Sequence, residues 1–398
     1  MSKNIFTQTV HAGERAPRPD FTPVATPIYP SVAYAYDRAS DLEEIFANQR
    51  EGYVYRRYSN PTVAAFERAL AGLEGGEAAY ATASGMGAIH GALLAAGARA
   101  GTQVVASQDC YGATYALLDG LLREQGTDTH FVDITDLAAV ERALQTFEPA
   151  VVICETASNP LLRLADLEAI AEMTHGQDAN LIVDSTFATP YLCRPLSLGA
   201  DFVVHSATKY IGGHDDVLGG VVVTSAENRH RLFEIEKNVG ANISPFDAWL
   251  ALRGLKTLAL RMRQHCDNAQ RVAEWLQANA RVAGVNYPGL ADHPQHQLAT
   301  RLYQERGYGG MLSFEIAGAG QAQVFRFLDA LRLVLPATTL GDVYSLALYP
   351  VMASHRALPP EARRAIGIGD GLVRLSIGIE DADDIIDDLD QALEQAID

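Results

Sequence analysis

Residues 201–213 read DFVVHSATKYIGG: an apolar, β-rich run, then two hydroxyls, then a lysine. Ser206, Thr208 and Lys209 therefore emerge together at the carboxyl end of a strand, which is where open α/β sheets hold their ligands. A lysine among apolar groups has its ammonium disfavoured, and the freed amine suits Schiff-base formation. The two hydroxyls suit a phosphate. Taken by itself, the same lysine could simply cap the strand.

Outward from this stretch the pattern repeats. Upstream lie the runs QVVAS, HFVDI, AVVICET and NLIVDST, and downstream GGVVVTS, with helical stretches between most of them. Strands alternating with helices predict a mostly parallel sheet covered on both faces, an α/β fold. Helix begins near Thr62 (VAAFERALAGLEG), whereas Pro17, Pro19, Pro23, Pro27, Pro30 and Pro61 break up what precedes it, and Tyr53, Tyr55 and Tyr58 close it. Residues 1–61 thus read as an extended, irregular arm and 62–255 as the sheet domain. Near Asp247 a long helical pattern starts (AWLALRGLKTLALRMRQHCDNAQRVAEWLQANA), and residues 256–398 read as a smaller α+β domain. Its strands are MLSFEI and LVRLSIGI; its last helix, DADDIIDDLDQALEQAI, is amphipathic, with its acidic run on a solvated face.

With 398 residues, 48% of them apolar, the chain can bury a full core. It has no run of eighteen apolar residues and no basic-then-apolar start, so neither membrane spanning nor export is expected. A formal charge of −18 opposes binding to nucleic acid. Cys110, Cys154, Cys193 and Cys266 are scattered without CxxC spacing, as expected in the reducing cytoplasm. Lysine occurs only at Lys3, Lys209, Lys237 and Lys256. Lys237 and Lys256 sit in polar helical settings and read as solvated charges.

NLIVDSTFATP offers a second apolar strand ending in a functional group, Asp184. A carboxylate beside a pyridine nitrogen keeps it protonated, and the protonated ring is the electron sink of pyridoxal chemistry. Alone, Asp184 could equally ligate a metal or cap a helix. In ATASGMGAIHGALLAA a small-residue turn (Ser84, Gly85, Met86, Gly87) opens a helix, a place where phosphate fits. The same GxGxxxG spacing resembles a dinucleotide turn, but Asp109 does not end a clear second strand of a compact βαβ unit. In DCYGATY, Tyr111 follows a strand and could stack on a cofactor ring or be an ordinary loop tyrosine. His205, His214, Asp215 and Asp216 lack the spacing that puts two imidazoles on one ion, and alternation turns His205 away from Lys209; no metal is expected.

Together, YRRYSNPT, ASGMGAI, DCYGAT, ETASNP, IVDSTFATP, HSATKYIGGH and LVRLSIGIED, in this order, resemble the Cys/Met-metabolism pyridoxal-phosphate enzymes across nearly the whole chain. That resemblance implies fold type I, with a large, mostly parallel seven-stranded sheet domain and a smaller α+β C-terminal domain, and pyridoxal 5'-phosphate as cofactor. It implies that Lys209 is the Schiff-base lysine and catalytic base, that Asp184 faces the ring nitrogen, and that Tyr111 stacks on the ring and assists the leaving group. Asn159 and Thr186 would lie near the ring, and Gly85, Met86, Ser206 and Thr208 would bind the phosphate. Tyr55 and Arg57 match residues that reach a neighbouring subunit's phosphate, so a homo-oligomer, usually a tetramer in this family, is implied. Arg374 matches the arginine that grips the substrate carboxylate, bordered by Thr338, Thr339, Tyr111 and Asn159.

Departures from the family pattern bear on the substrate. In TTLGD, Thr338 stands where many relatives carry an acidic residue, removing a partner for a distal ammonium. Val54 and Tyr58 replace charged residues of a bacterial cystathionine γ-synthase, so the pocket reads as apolar and favours methionine or an O-acetylhomoserine-like substrate. Ala113 stands where typical methionine γ-lyases carry cysteine. The resulting order is methionine γ-elimination first, then O-acylhomoserine sulfhydrylation, then the cystathionine enzymes.

Overall fold

The computed structural model describes residues 4–13, 23–353, 356 and 359–397. Lys3, Pro17 and Pro19 lie outside the described residues. Seven strands form the larger sheet: β1 (Ala78–Thr82), β2 (Gln103–Ser107), β3 (Asp128–Val132), β4 (Val151–Glu155), β5 (Asn180–Asp184), β6 (Phe202–Ser206) and β7 (Gly220–Thr224). Their order is β1-β7-β6-β5-β4-β2-β3, and only β7 runs against its neighbours. Side chains of a strand alternate between faces. Val152, Leu181, Val183, Val203 and Val221 accordingly enter one core, and Val151, Ile153, Ile182, Val204 and Val222 the other. Each such side chain contributes about 1.5–3 kcal/mol when fully buried.

Five further strands form a second sheet of order β10-β11-β12-β9-β8: β8 (Val282–Asn286), β9 (Met311–Ile316), β10 (Leu335–Pro336), β11 (Leu346–Leu348) and β12 (Leu372–Ser376). The helix Ala382–Ile397 packs beside it, burying Ile385, Leu389 and Leu393.

Three expectations change. β1 (AAYAT) carries no apolar run of the expected kind, because alanine has little β preference; burial between layers makes it a strand. The arm is not wholly irregular, since Ile5–His11 and Ala39–Phe46 are short helices. The long helical pattern after Asp247 is two helices, Pro245–Leu255 and Leu258–Ala278. The carbonyl of Gly254, which a continuous helix would pair with residue 258, instead accepts from the Thr257 hydroxyl at 3.3 Å and the Arg261 guanidinium at 2.9 Å.

Candidate active site

Parallel strands β4, β5 and β6 bring their carboxyl ends to one rim, in register at Glu155↔Asp184 and Asp184↔Val204. Above that rim lies a cavity of about 240 Å³. Strand ends supply Glu155, Asp184 and Ser206; the turns after β5 and β6 supply Thr186, Thr208 and Lys209; the helix start Ser84–Met86, the loop residues Tyr111 and Thr338 and, from β12 of the second sheet, Arg374 complete it.

At one end, the Ser84 hydroxyl caps the helix Gly85–Ala96 by accepting from Gly87 N–H at 3.1 Å. Gly85 packs so closely on Ser206 that a Cβ would stand 2.9 Å from that residue's Cβ, and a Cβ on Gly220 would stand 2.2 Å from Ser84 O. Only glycine permits this approach, which leaves first-turn N–H groups beside the Ser206 and Thr208 hydroxyls: a cradle for a phosphate. At the other end, Asp184 Oδ1 accepts from the Thr186 hydroxyl (2.5 Å) and N–H (3.0 Å), and Thr186 Oγ1 accepts from Ser206 N–H (2.9 Å). Burial raises the Asp184 pKa, while the Thr186 hydrogen bonds pull it back. Beside it, Glu155 accepts from Tyr111 N–H at 2.6 Å, and burial together with the Asp184 charge raises its pKa well above the carboxylate range. A cationic ring nitrogen at Asp184 would relieve that crowding of negative charge. The donor set therefore fits a phosphorylated pyridine aldehyde, with Lys209 at the aldehyde.

Lys209 Nζ donates to Thr339 Oγ1 at 3.0 Å. Burial and then the Arg374 charge lower its pKa, opposed by Asp342 and Asp215. Arg374, on β12 and buried, donates to Thr339 O (2.9 Å) and Asn159 Oδ1 (3.3 Å), while its Nε has no partner. Lys209, Asp184, Tyr111, Gly85, Met86, Asn159, Thr186, Ser206, Thr208, Thr338 and Arg374 thus line one cavity, and Thr339 bonds to its lysine. Tyr55 and Arg57 do not join it. Arg57 stacks on Tyr55 and Tyr58, and borders a separate groove with Tyr58 and Asn242. Of the four positions expected to mark the substrate, Thr338 lines the cavity and Val54, Tyr58 and Ala113 do not. His205 points to the other face, where Nε2 meets Glu74 Oε1 at 2.6 Å.

Sequence reasoning missed Glu155, Phe187, Leu218 and Leu340 as lining residues. For Glu155 the signal was present: AVVICET, like NLIVDST, is an apolar run that ends in a carboxylate.

A mostly parallel α/β sheet whose strand ends join a lysine, a buried carboxylate and a helix-start phosphate cradle defines a pyridoxal-phosphate enzyme of fold type I. The family model for the Cys/Met metabolism PLP-dependent enzymes matches residues 6–394. The chain is 42% identical to the L-methionine gamma-lyase of Fusobacterium nucleatum subsp. polymorphum over 98% of each chain. It is also 42% identical to the cystathionine gamma-lyase of Bacillus subtilis, covering 93% of this chain and 94% of that one. Cystathionine gamma synthase from Xanthomonas oryzae pv. oryzae superposes with a TM-score of 0.92 at 41% identity, over 100% of this chain and 99% of that one. The chain belongs to the Cys/Met-metabolism PLP-dependent enzymes. Its chemistry is elimination or replacement on sulfur amino acids.

Proposed function

We propose that the chain is a methionine γ-lyase, converting L-methionine and water to methanethiol, 2-oxobutyrate and ammonia. The observation that carries this reading is that, among the described residues, no charged group of the cavity is left for the far end of a substrate. Arg374 suits the α-carboxylate, Lys209 and Asp184 suit the cofactor, and Glu155 is bonded to Tyr111 N–H, with burial and the Asp184 charge disfavouring its ionised form. The remaining wall, Ile89, Phe187, Leu218, Leu340 and Thr338, is apolar or neutral. A thioether gains from such a wall; a distal ammonium would lose its hydration there without a partner.

When bound, the cofactor supplies an electron sink for charge developing at the substrate's α-carbon. Arg374 fixes the α-carboxylate through a fork of donors, two of which are aligned by Thr339 O and Asn159 Oδ1. Lys209 takes the α-proton, and burial followed by the Arg374 charge, which lower its pKa, favour the neutral amine that this step needs. Tyr111, on a loop pinned by Glu155, gives a proton to the departing sulfur. The arm, with Val24, Ile28, Tyr29 and Val32 exposed, presents Tyr55 and Arg57 to the phosphate of a neighbouring subunit, which makes the working enzyme an oligomer.

Methionine, homocysteine, cystathionine, cysteine, O-acetylhomoserine and O-succinylhomoserine, each with and without added thiol, test the reading through 2-oxobutyrate, pyruvate and thioether products. Methionine should give the highest kcat/KM for elimination. Cystathionine leading by a wide margin would overturn it. O-acetylhomoserine is the second reading, because its neutral ester suits the same wall; thioether outpacing 2-oxobutyrate in the presence of thiol would favour it. Borohydride reduction should place the pyridoxyl mass on the peptide containing Lys209.

A further inference from the structure

Asp342 lies on the loop that carries the cavity residues Thr338 and Leu340 and has no part in the roles above. Its side chain is fully buried, with Oδ1 accepting from Asp215 N–H at 3.0 Å and Oδ2 having no hydrogen-bond partner. The loop that carries it rests on the lysine's own turn. Thr339 Oγ1 accepts from Lys209 Nζ, a Cβ on Gly341 would stand 2.7 Å from Tyr210 N, and Val343 N–H donates to Gly213 O at 3.0 Å. A buried carboxylate with a bare oxygen is costly unless a cation compensates it. Two cations act on it, Lys209 and Arg261. Arg261 is fixed in place by the carbonyls of Tyr210, Ile211 and Gly254 and keeps its charge, so the two cations share the carboxylate's field, and of the two only Lys209 belongs to the cavity.

We propose that Asp342 is the counter-charge of Lys209, a positioning residue whose buried negative charge lets the lysine amine hold a proton in a cavity where Arg374 opposes it. The inference rests on the reading of Lys209 as anchor and base. Without the counter-charge, the Arg374 cation and the low polarity of the cavity would leave the amine too weak a base to retain the α-proton it takes.

The charges around the pair set the pH dependence. Asp342 faces Asp215, Lys209 and Arg261, with the Tyr210 hydroxyl also within its field; Lys209 faces Arg374, Asp342 and Asp215. Burial first, then the Asp215 charge, pushes Asp342 up to about 6. It is therefore ionised at neutral pH and loses its charge as pH falls through that value. Removing a negative neighbour weakens the lysine's hold on a proton.

Two measurements test this on the full-length chain. In the holoenzyme, the pH at which the visible band of the bound chromophore changes form should drop by about half to one unit in Asp342→Asn, which keeps an acceptor for Asp215 N–H. A merely structural role would leave that midpoint unmoved. In the unmutated, cofactor-free protein, competitive trace acetylation read by mass spectrometry should show Lys209 gaining reactivity relative to Lys237 and Lys256 as pH falls from 7.5 to 5, by roughly three- to tenfold. An unshifted band in the variant, or a Lys209 ratio that stays flat through pH 6, would overturn the proposal. The second measurement stands even if the variant does not fold. Absence of a visible band in the unmutated protein would instead overturn the reading of Lys209 itself.

Discussion

Two arginines are buried around the turn that carries Lys209, and they differ in what their guanidinium groups have left to give. Arg261 and Arg374 are each 4% exposed, and burial lowers each pKa to about 10. Neither has a carboxylate within ion-pair distance among the described residues. Arg261 gives Nη1 to Tyr210 O (2.7 Å), Nη2 to Gly254 O (2.9 Å) and Ile211 O (3.3 Å), and Nε to Thr257 Oγ1 (3.2 Å). Arg374 has two bonds and a buried Nε without a partner, and the residue lines the cavity. A saturated buried arginine is a clamp on the backbone; an unsaturated one beside a cavity is a receptor for an anion.

The largest expected effect lies on the receptor. Arg374→Leu should lower kcat/KM for the preferred amino acid roughly a thousandfold, since a bidentate, desolvated charge pair is worth about 4 kcal/mol. Its urea midpoint should stay close to that of the unmutated enzyme. Arg261→Met should do the reverse. Leaving carbonyls of the Lys209 turn and the helix end unpaired should cost about 3–4 kcal/mol of stability, with kcat/KM per folded enzyme changed less than tenfold. Activity loss without stability loss in Arg261→Met would break the contrast.

This contrast marks what the sequence could and could not disclose. The placement of Lys209 and Asp184 at the cavity was legible because Asp184 ends an apolar strand and Lys209 stands on the turn just after one, a local pattern with a spatial meaning. Arg374 was legible only through the resemblance, as LVRLS is otherwise a strand with an inward charge. Arg261 was not legible at all: within LALRMRQH it reads as one more polar position of an amphipathic helix. Its role depends on carbonyls some fifty positions upstream, brought close by tertiary packing. Glu155 shows a different failure, for its signal matched that of Asp184 and only the pairing of β4 with β5 reveals that the two carboxylates crowd each other. The break at Lys256–Thr257 was hidden for the reason that hid Arg261, since that arginine occupies the carbonyl at the break.

A third prediction extends the clamp to pH. His265, on the same helix as Arg261, is buried against Tyr210, its Nδ1 bonded to Ile377 O at 2.7 Å and its Nε2 without a partner. Burial lowers its pKa to about 4. The unfolded chain, with histidine near 6.5, takes up the proton first as pH falls. The stability that depends on neutral His265 is therefore complete above about pH 6.5 and is lost as pH falls toward 4, by on the order of 2–3 kcal/mol. Urea titrations at pH 7, 5.5 and 4.5 should show this loss, and His265→Asn should flatten it. An equal acid loss in the variant would assign the effect to other groups.

The smallest effect is the most diagnostic of the clamp. Gly213 has φ +71, and a Cβ there would stand 2.1 Å from Arg261 Nη1. Gly213→Ala therefore meets two separate costs. The left-handed backbone is about 1 kcal/mol less favourable for alanine, whatever surrounds it. The guanidinium must also give way, and although it is the end of a flexible side chain, its carbonyl bonds hold it in place. Together these should destabilise the protein by about 2 kcal/mol. In an Arg261→Met background only the backbone cost should remain, so the double-mutant cycle should show a coupling of about 1 kcal/mol. A coupling near zero would mean that Arg261 moves aside freely, and a guanidinium that moves aside freely is not clamping the turn beneath Lys209.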